Sequence, residues 1–133
     1  MVSNDAPALT LADITCRFAA RDGSGPYTAV ANTTLNVAKG EFVSVVGPTG
    51  CGKSTLLNVA AGLLEPSSGT VHVFGEKLRA ADGVNRRAGY MFQADALMPW
   101  RTGIDNVIAG LEFRGVPRGD AVAQGEAWLR RVG

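Results

Sequence analysis

Cysteine, net charge and long apolar runs are all scarce in this sequence. Its 133 residues include two cysteines, Cys16 and Cys51, and because their spacing suits no metal site we expect reduced thiols without a disulfide framework. Thirteen basic and twelve acidic side chains leave a net charge of +1, which argues against a nucleic-acid partner. No apolar stretch reaches the roughly 20 residues of a membrane-spanning helix, and no export signal is recognisable. We therefore expect a cytoplasmic protein.

The residues that are present suit one folded domain, with 46% hydrophobic and 19% charged side chains. Residues 9–18 and 29–37 predict two early strands, and residues 21–26 predict a turn between them. Three more strands are predicted at residues 41–46, 70–75 and 88–93, and three helices at residues 53–64, 104–113 and 121–132. A strand, a glycine-rich loop and a helix therefore follow one another in the middle of the chain.

That loop is the most informative motif. It matches the phosphate-binding pattern G-x-x-x-x-G-K-[S/T] and consists of Gly47, Pro48, Thr49, Gly50, Cys51, Gly52, Lys53 and Ser54, followed by Thr55. Glycines let the backbone direct its N–H groups inward, and the start of the next helix adds its positive dipole end. Lys53 is expected to contact the β- and γ-phosphates, Ser54 to coordinate Mg²⁺, and Thr55 to support the α/β side. The sequence thus predicts binding of a nucleoside triphosphate, namely ATP with magnesium.

Two other reactive side chains, those of Cys51 and His72, give weaker evidence of a functional role. Cys51 lies at the start of the predicted helix, where a nucleophilic thiol is the alternative, but no suitable histidine or acid is near it in sequence. Its backbone is the part that we expect to matter. His72 is the only histidine, and because it lies in a predicted strand we expect it to be structural.

The block from Gly40 through the loop to Leu57 resembles the ATP-binding subunits of ABC transporters, and residues 62–75 and 90–93 continue the likeness. The resemblance implies an α/β fold: a P-loop NTPase core with an N-terminal antiparallel β subdomain and the start of a helical subdomain. It places the β subdomain and P-loop core in residues 1–93 and the start of the helical subdomain in residues 94–133.

The resemblance also implies roles for individual side chains. Gln93 matches the glutamine that senses the γ-phosphate through magnesium and the attacking water. Lys53 and Gln93 are then the catalytic residues, and Ser54 and Gln93 are the metal ligands. Adenine is expected to stack on an aromatic ring upstream of the loop. Phe18 is the candidate and Tyr27 the second choice, with ordinary strand packing as the alternative for both.

Residues 94–100 and 105–107 are similar to the corresponding parts of importers of nitrate, sulfonates, taurine and related small compounds. This likeness implies an ATPase that drives import from the inner face of the cell membrane. Its implied partners are a second ATP-binding subunit, transmembrane permease subunits and, indirectly, a substrate-binding protein.

Three family elements do not occur in these residues: the LSGGQ-type signature, the Walker B strand ending in Asp-Glu, and the switch histidine. Without the Asp and Glu, phosphoryl transfer loses its metal positioning and its base. The chain is therefore interpreted as the N-terminal half of such a subunit. The alternatives are a truncated ATP-binding fragment without hydrolysis, and another P-loop NTPase or kinase. A core sheet without its later strands also predicts poor stability of the chain alone.

Overall fold

The computed structural model describes residues 6–20, 23, 25–79, 87–94 and 96–133. The chain forms two compact units, Met1–Tyr90 and Met91–Gly133. Residues 21, 22 and 24 of the predicted turn and residue 95 of the importer-like segment lie outside the described residues.

A four-stranded antiparallel sheet dominates the first unit. Its strands are β1 (Leu9–Ala19), β2 (Pro26–Val37), β3 (Ser68–Val73) and β4 (Glu76–Leu78), in the spatial order β2-β1-β3-β4. In the centre of the sheet, Leu11 of β1 lies opposite Leu35 of β2 and Val71 of β3. The strands predicted at residues 9–18, 29–37 and 70–75 are confirmed, whereas the short β4 was not predicted.

The pairing of β1 with β2 is irregular, with three shifts of register. Asp13 and Asn32 have φ angles of 53° and 45°, a left-handed conformation that short polar residues tolerate. Two threonine hydroxyls accept from the displaced backbone donors. Thr34 Oγ1 accepts from the Asp13 N–H at 3.0 Å, and Thr15 Oγ1 accepts from the Asn32 N–H at 3.1 Å. The irregularity is therefore fixed by hydrogen bonds instead of leaving unpaired groups.

One helix, α1 (Lys53–Ala60), covers the sheet. Its buried side chains are Leu56 and Val59, which lie one helical turn apart and so share a face. They join a single apolar cluster with residues of the sheet: Leu11, Ile14, Cys16, Val30 and Val71. This burial fixes the start of α1, and with it the glycine-rich loop, against the sheet.

The helix ends earlier than the predicted residue 64. Gly62 has a φ of +73°, and its N–H donates to the Val59 carbonyl at 3.1 Å, while the Leu63 N–H donates to the Asn58 carbonyl at 2.9 Å. These two bonds form a Schellman motif, which ends a helix at a left-handed glycine. Helical periodicity alone could not show this, because Leu63 still continues the apolar spacing.

Two predicted strands are wrong: residues 41–46 and 88–93 form no strand. Their apolar, β-branched composition favours pairing, but a strand requires a neighbour that completes its hydrogen-bond ladder. Neither run is a strand of the sheet that the described residues form. Phe42, Val43 and Val45 line an apolar cavity of about 330 Å³ beside α1, and most of the surface of Phe42 and Val46 is open to solvent, with 91% and 87% exposed.

The second unit is a pair of helices, α2 (Gly103–Glu112) and α3 (Arg118–Val132), in agreement with the two helices predicted there. Gly125 lets them approach closely, since a Cβ at this position would lie 2.6 Å from an Ile108 side-chain carbon. Within the described residues, no helix of either unit is both long enough and apolar enough to cross a membrane.

An ion-pair network closes this helical hairpin. Arg118 contacts Asp105 at 2.6 Å and Glu112 at 2.8 Å, and Arg101 contacts Glu112 at 2.8 Å. The hydroxyl of Thr102 donates to the Asp105 carboxylate at 2.6 Å and accepts from the Asp105 N–H, which caps α2. The Thr102 hydrogen bond, followed by that of Arg118, lowers the pKa of Asp105 below its ordinary value.

Candidate phosphate-binding site

The loop before α1 has a backbone that suits only glycine at two positions. Gly50 and Gly52 have φ angles of +82° and +92°, in the left-handed region. Between them the Cys51 N–H donates to the Pro48 carbonyl at 3.4 Å, which closes a turn. The predicted curling of the chain at these glycines is therefore present.

Gly52 lies against the backbone of β2. A Cβ on Gly52 would overlap the Ala29 carbonyl oxygen and would lie 3.0 Å from Cγ2 of Val30. Gly50 has no neighbour within 4 Å of its equivalent position. The loop thus rests on β2 at one glycine and projects freely at the other.

The start of α1 leaves its backbone donors available to an anion. Among the residues that the structure describes, no side chain caps α1 at Gly52, and its first turn holds no acidic residue. The helix α2 is different, because Thr102 caps it and Asp105 lies in its first turn. The free N–H groups at a helix start carry a partial positive charge and point along the axis, which suits phosphate oxygens.

Lys53 is folded back onto the loop. Its Nζ donates to the Gly47 carbonyl at 2.8 Å and the Pro48 carbonyl at 2.6 Å, and lies 3.6 Å from Cys51 Sγ. The ammonium is therefore held at the loop by the two carbonyls that begin it. Positive charge and uncapped helical donors lie within one short segment.

The other predicted loop residues lie beside these groups. Thr49 and Cys51 are exposed in the loop, while Ser54 and Thr55 lie in the first turn of α1. Ser54 is exposed, so its hydroxyl oxygen, a hard ligand of the kind Mg²⁺ prefers, is accessible at the start of the helix. This one hydroxyl suits a single ligand of a magnesium ion whose other ligands would come from a bound polyphosphate.

Gln93 belongs to the second unit, where it is exposed and outside the helices. The loop belongs to the first unit. The role of Gln93 as a catalytic residue and metal ligand therefore stays a prediction.

The two candidate aromatic residues face each other across β1 and β2. Phe18 lies opposite Tyr27 in the register, and their ring centroids are 5.8 Å apart with the planes tilted by 34°. Phe18 packs on the edge of the apolar cluster, whereas Tyr27 is 53% exposed. Sequence reasoning ranked Phe18 first; in the structure Tyr27 is the more open of the two adjacent rings, and the stacking role of either residue stays a prediction.

Of the remaining reactive side chains, Cys51 lies in the loop, whereas Cys16 and His72 lie in the strands β1 and β3. Both cysteines are free thiols, and burial raises the pKa of Cys16. His72 lies in β3 opposite Thr10 and Lys77, as a strand residue. Sequence reasoning missed Ala29 and Val30 as neighbours of the loop, because nothing local distinguishes them from other strand residues.

Comparison with known proteins supplies the family context. A model described as "ABC transporter" matches residues 30–133. The taurine import ATP-binding protein TauB of Pseudomonas aeruginosa is 45% identical over 100 residues, which are 75% of this chain and 37% of that protein. TauB of Burkholderia pseudomallei is 45% identical over 108 residues, or 81% of this chain and 40% of the relative. An uncharacterised ABC transporter ATP-binding protein of Methanocaldococcus jannaschii is 41% identical over 105 residues, or 79% and 38%.

Solved structures agree with these relatives. The ATP-binding cassette MJ0796, in a dimeric post-hydrolysis state bound to ADP and phosphate, matches with a TM-score of 0.77 and 28% identity. The match covers 92% of this chain and 56% of that one. The chain spans well under half the length of the curated relatives it matches.

Proposed function

This chain belongs to the ABC transporter family, and on that premise we propose that it binds Mg-ATP on the loop from Gly47 to Thr55. The observation that carries the proposal is the position of Lys53, whose ammonium lies on the loop beside an uncapped helix start. A polyphosphate needs many donors at close range without a buried bare charge, and this segment offers them.

In this proposal the loop backbone and the Lys53 side chain both bind the phosphates. The N–H groups around Gly50 and Gly52 surround the phosphates, and the start of α1 adds its dipole. The Lys53 ammonium exchanges its two carbonyl contacts for phosphate oxygens. Because both carbonyls are in the loop itself, this exchange needs only a side-chain movement.

Magnesium fits the same segment. The Ser54 hydroxyl would hold it together with phosphate oxygens, and Gln93 is proposed as a further ligand that senses the γ-phosphate. When bound, the ion neutralises the charge that develops on the phosphates during transfer. Ser54 keeps its oxygen at the helix start next to Lys53, so one turn of helix presents both groups.

For the base we propose stacking on the platform of Phe18 and Tyr27. An aromatic face accepts a purine without a specific hydrogen bond. Tyr27 presents the open ring and Phe18 supports it from the side of the core. Both residues are therefore assigned to adenine, with Tyr27 the direct contact.

In the intact protein we propose that this segment serves the energy-coupling subunit of an importer for small anions such as nitrate, sulfonates or taurine. Among these compounds, the names of the relatives from Pseudomonas and Burkholderia support taurine. The proposed partners are a second ATP-binding subunit and membrane permease subunits at the cytoplasmic face. ATP hydrolysis is assigned to the intact protein, because residues 1–133 contain no signature or Walker B sequence.

Calorimetry with Mg-ATP tests the proposed binding on the full 133-residue chain, after circular dichroism has confirmed that it is folded. Saturable binding is expected, and Lys53→Ala should weaken it about tenfold or more, since a charge-assisted contact to phosphate is lost. Lys39→Ala removes an exposed lysine from the turn before the loop and serves as the matched control. No saturable heat, or equal losses in the two variants, would refute the proposal.

Phosphate release measured on the same samples separates binding from hydrolysis. We expect binding with little or no release. Turnover by this chain that disappears in Lys53→Ala would contradict the proposal that these residues bind ATP without hydrolysing it. A preference for GTP over ATP would instead favour another class of P-loop NTPase.

A further inference from the structure

The strand β2 contacts both ends of the proposed nucleotide site. Tyr27 lies at its start, and Ala29 and Val30 follow at the place where Gly52 rests. At about 3.3 Å per strand residue, the aromatic platform and the contact with the loop are roughly 7–10 Å apart along β2. One strand therefore links the two.

The loop is closely packed against β2 at Gly52. A Cβ on Gly52 would overlap the Ala29 carbonyl oxygen and would lie 3.2 Å from the Ala29 carbonyl carbon. Val30 is 7% exposed and belongs to the apolar cluster beneath α1. Close-packed contacts of this kind transmit a change in the volume of one partner to the position of the other.

The position of β2 is itself fixed. Val30 lies opposite Cys16 in the register, and the Asn32 N–H two residues further on donates to Thr15 Oγ1 at 3.1 Å. Thr15 is buried, with 8% exposure, and the bond itself is partly buried. The stretch from Tyr27 to Asn32 is thus anchored to β1 on both sides of the loop contact.

From these contacts we propose that Ala29 and Val30 are positioning residues, forming a seat under Gly52 that sets the distance between the phosphate loop and the Phe18–Tyr27 platform. This inference rests on the proposed nucleotide site and adds what determines its length. A larger side chain at Val30 lifts the loop from β2 and moves it relative to the rings. A ligand that spans both ends then fits poorly, while a ligand that occupies one end does not.

Three ligands distinguish this role from a general effect on folding: Mg-ATP, which spans both ends, inorganic tripolyphosphate, which needs only the loop, and adenosine, which needs only the rings. Val30→Leu should weaken Mg-ATP binding about tenfold, because small displacements of binding groups have large effects. Binding of tripolyphosphate and adenosine should change less than about twofold. Val71→Leu, a buried valine of the same apolar cluster, is the matched control and should leave all three unchanged.

If Val30→Leu proves unfolded by circular dichroism, Val30→Ala gives the same comparison, with Val71→Ala as its control. The smaller side chain at residue 30 lets the loop move closer to β2, which also changes its distance from the rings. Parallel losses of Mg-ATP and tripolyphosphate binding, no loss of Mg-ATP binding, or equal effects at Val71 would each overturn the positioning role. If the unsubstituted chain binds neither Mg-ATP nor tripolyphosphate, the proposed nucleotide site and this inference are both refuted.

Discussion

Substituting alanine for glycine at two positions of the loop should separate backbone strain from steric overlap. Gly50 and Gly52 are both left-handed, with φ of +82° and +92°, and a residue with a Cβ loses roughly 1–2 kcal/mol there. Gly50→Ala meets no neighbour, so strain alone should weaken Mg-ATP binding roughly 5- to 30-fold, because the free loop can relax and must return to the left-handed conformation to bind. Gly52→Ala adds an overlap with the Ala29 carbonyl, and such overpacking typically adds about 1–3 kcal/mol.

The expected loss for Gly52→Ala is therefore about 30-fold or more. Calorimetric titration with Mg-ATP measures both affinities, and urea unfolding of each variant shows whether the sheet itself is damaged. The overlap involves a backbone atom of a paired strand, which cannot move without disturbing β1 and β2. Binding by Gly52→Ala that equals or exceeds that of Gly50→Ala would refute this account of how the loop is seated.

Three further predictions use the same structure. Gly47→Ala would place its Cβ 2.9 Å from Cys51 Sγ, so it should weaken Mg-ATP binding, and Cys51→Ala in the same chain should restore it, as equilibrium titration would show. Tyr27→Ala should weaken binding of ATP by about 1–3 kcal/mol but leave tripolyphosphate binding unchanged, and equal losses for both ligands would contradict base stacking. Asp105 has a pKa lowered below 3.8, so its stabilising contribution is complete above that pH and is lost as the pH falls through the lowered value. Tryptophan fluorescence during urea unfolding reports the second unit, which contains both tryptophans, and an acid-induced loss of stability as large in Asp105→Asn as in the original chain would count against this.

The first unit shows which features of the fold can be predicted from the sequence. The β-prone composition of residues 9–18 and the alternation of residues 70–75 marked real strands, because the same residues supply the buried face and the ladder. Residues 41–46 have an equally strong β composition yet form no strand, since pairing depends on a second segment that local composition does not describe. The Schellman motif at Gly62 ended α1 for a reason that apolar spacing could not show.

The candidate site likewise has one part that the sequence predicted and one part that it did not. The loop from Gly47 to Ser54 was predictable because its glycines, lysine and hydroxyl are consecutive and each has a local reason to be there. The seat formed by Ala29 and Val30 was not, because it depends on a contact between segments more than 20 residues apart in sequence. Phe18 and Tyr27 were named as alternatives, and only the strand register brings them together as a pair.

The account depends most on the claim that the backbone amides of the loop bind the triphosphate with Lys53. Amide chemical shifts of the ¹⁵N-labelled chain, followed by NMR during titration with Mg-ATP, test it most directly. We expect the largest shifts at residues 49–55, saturating together, and in Lys53→Ala we expect the same titration to require about tenfold or more Mg-ATP. Shifts that spare this segment, or that saturate at the same Mg-ATP concentration without the lysine, would contradict the account.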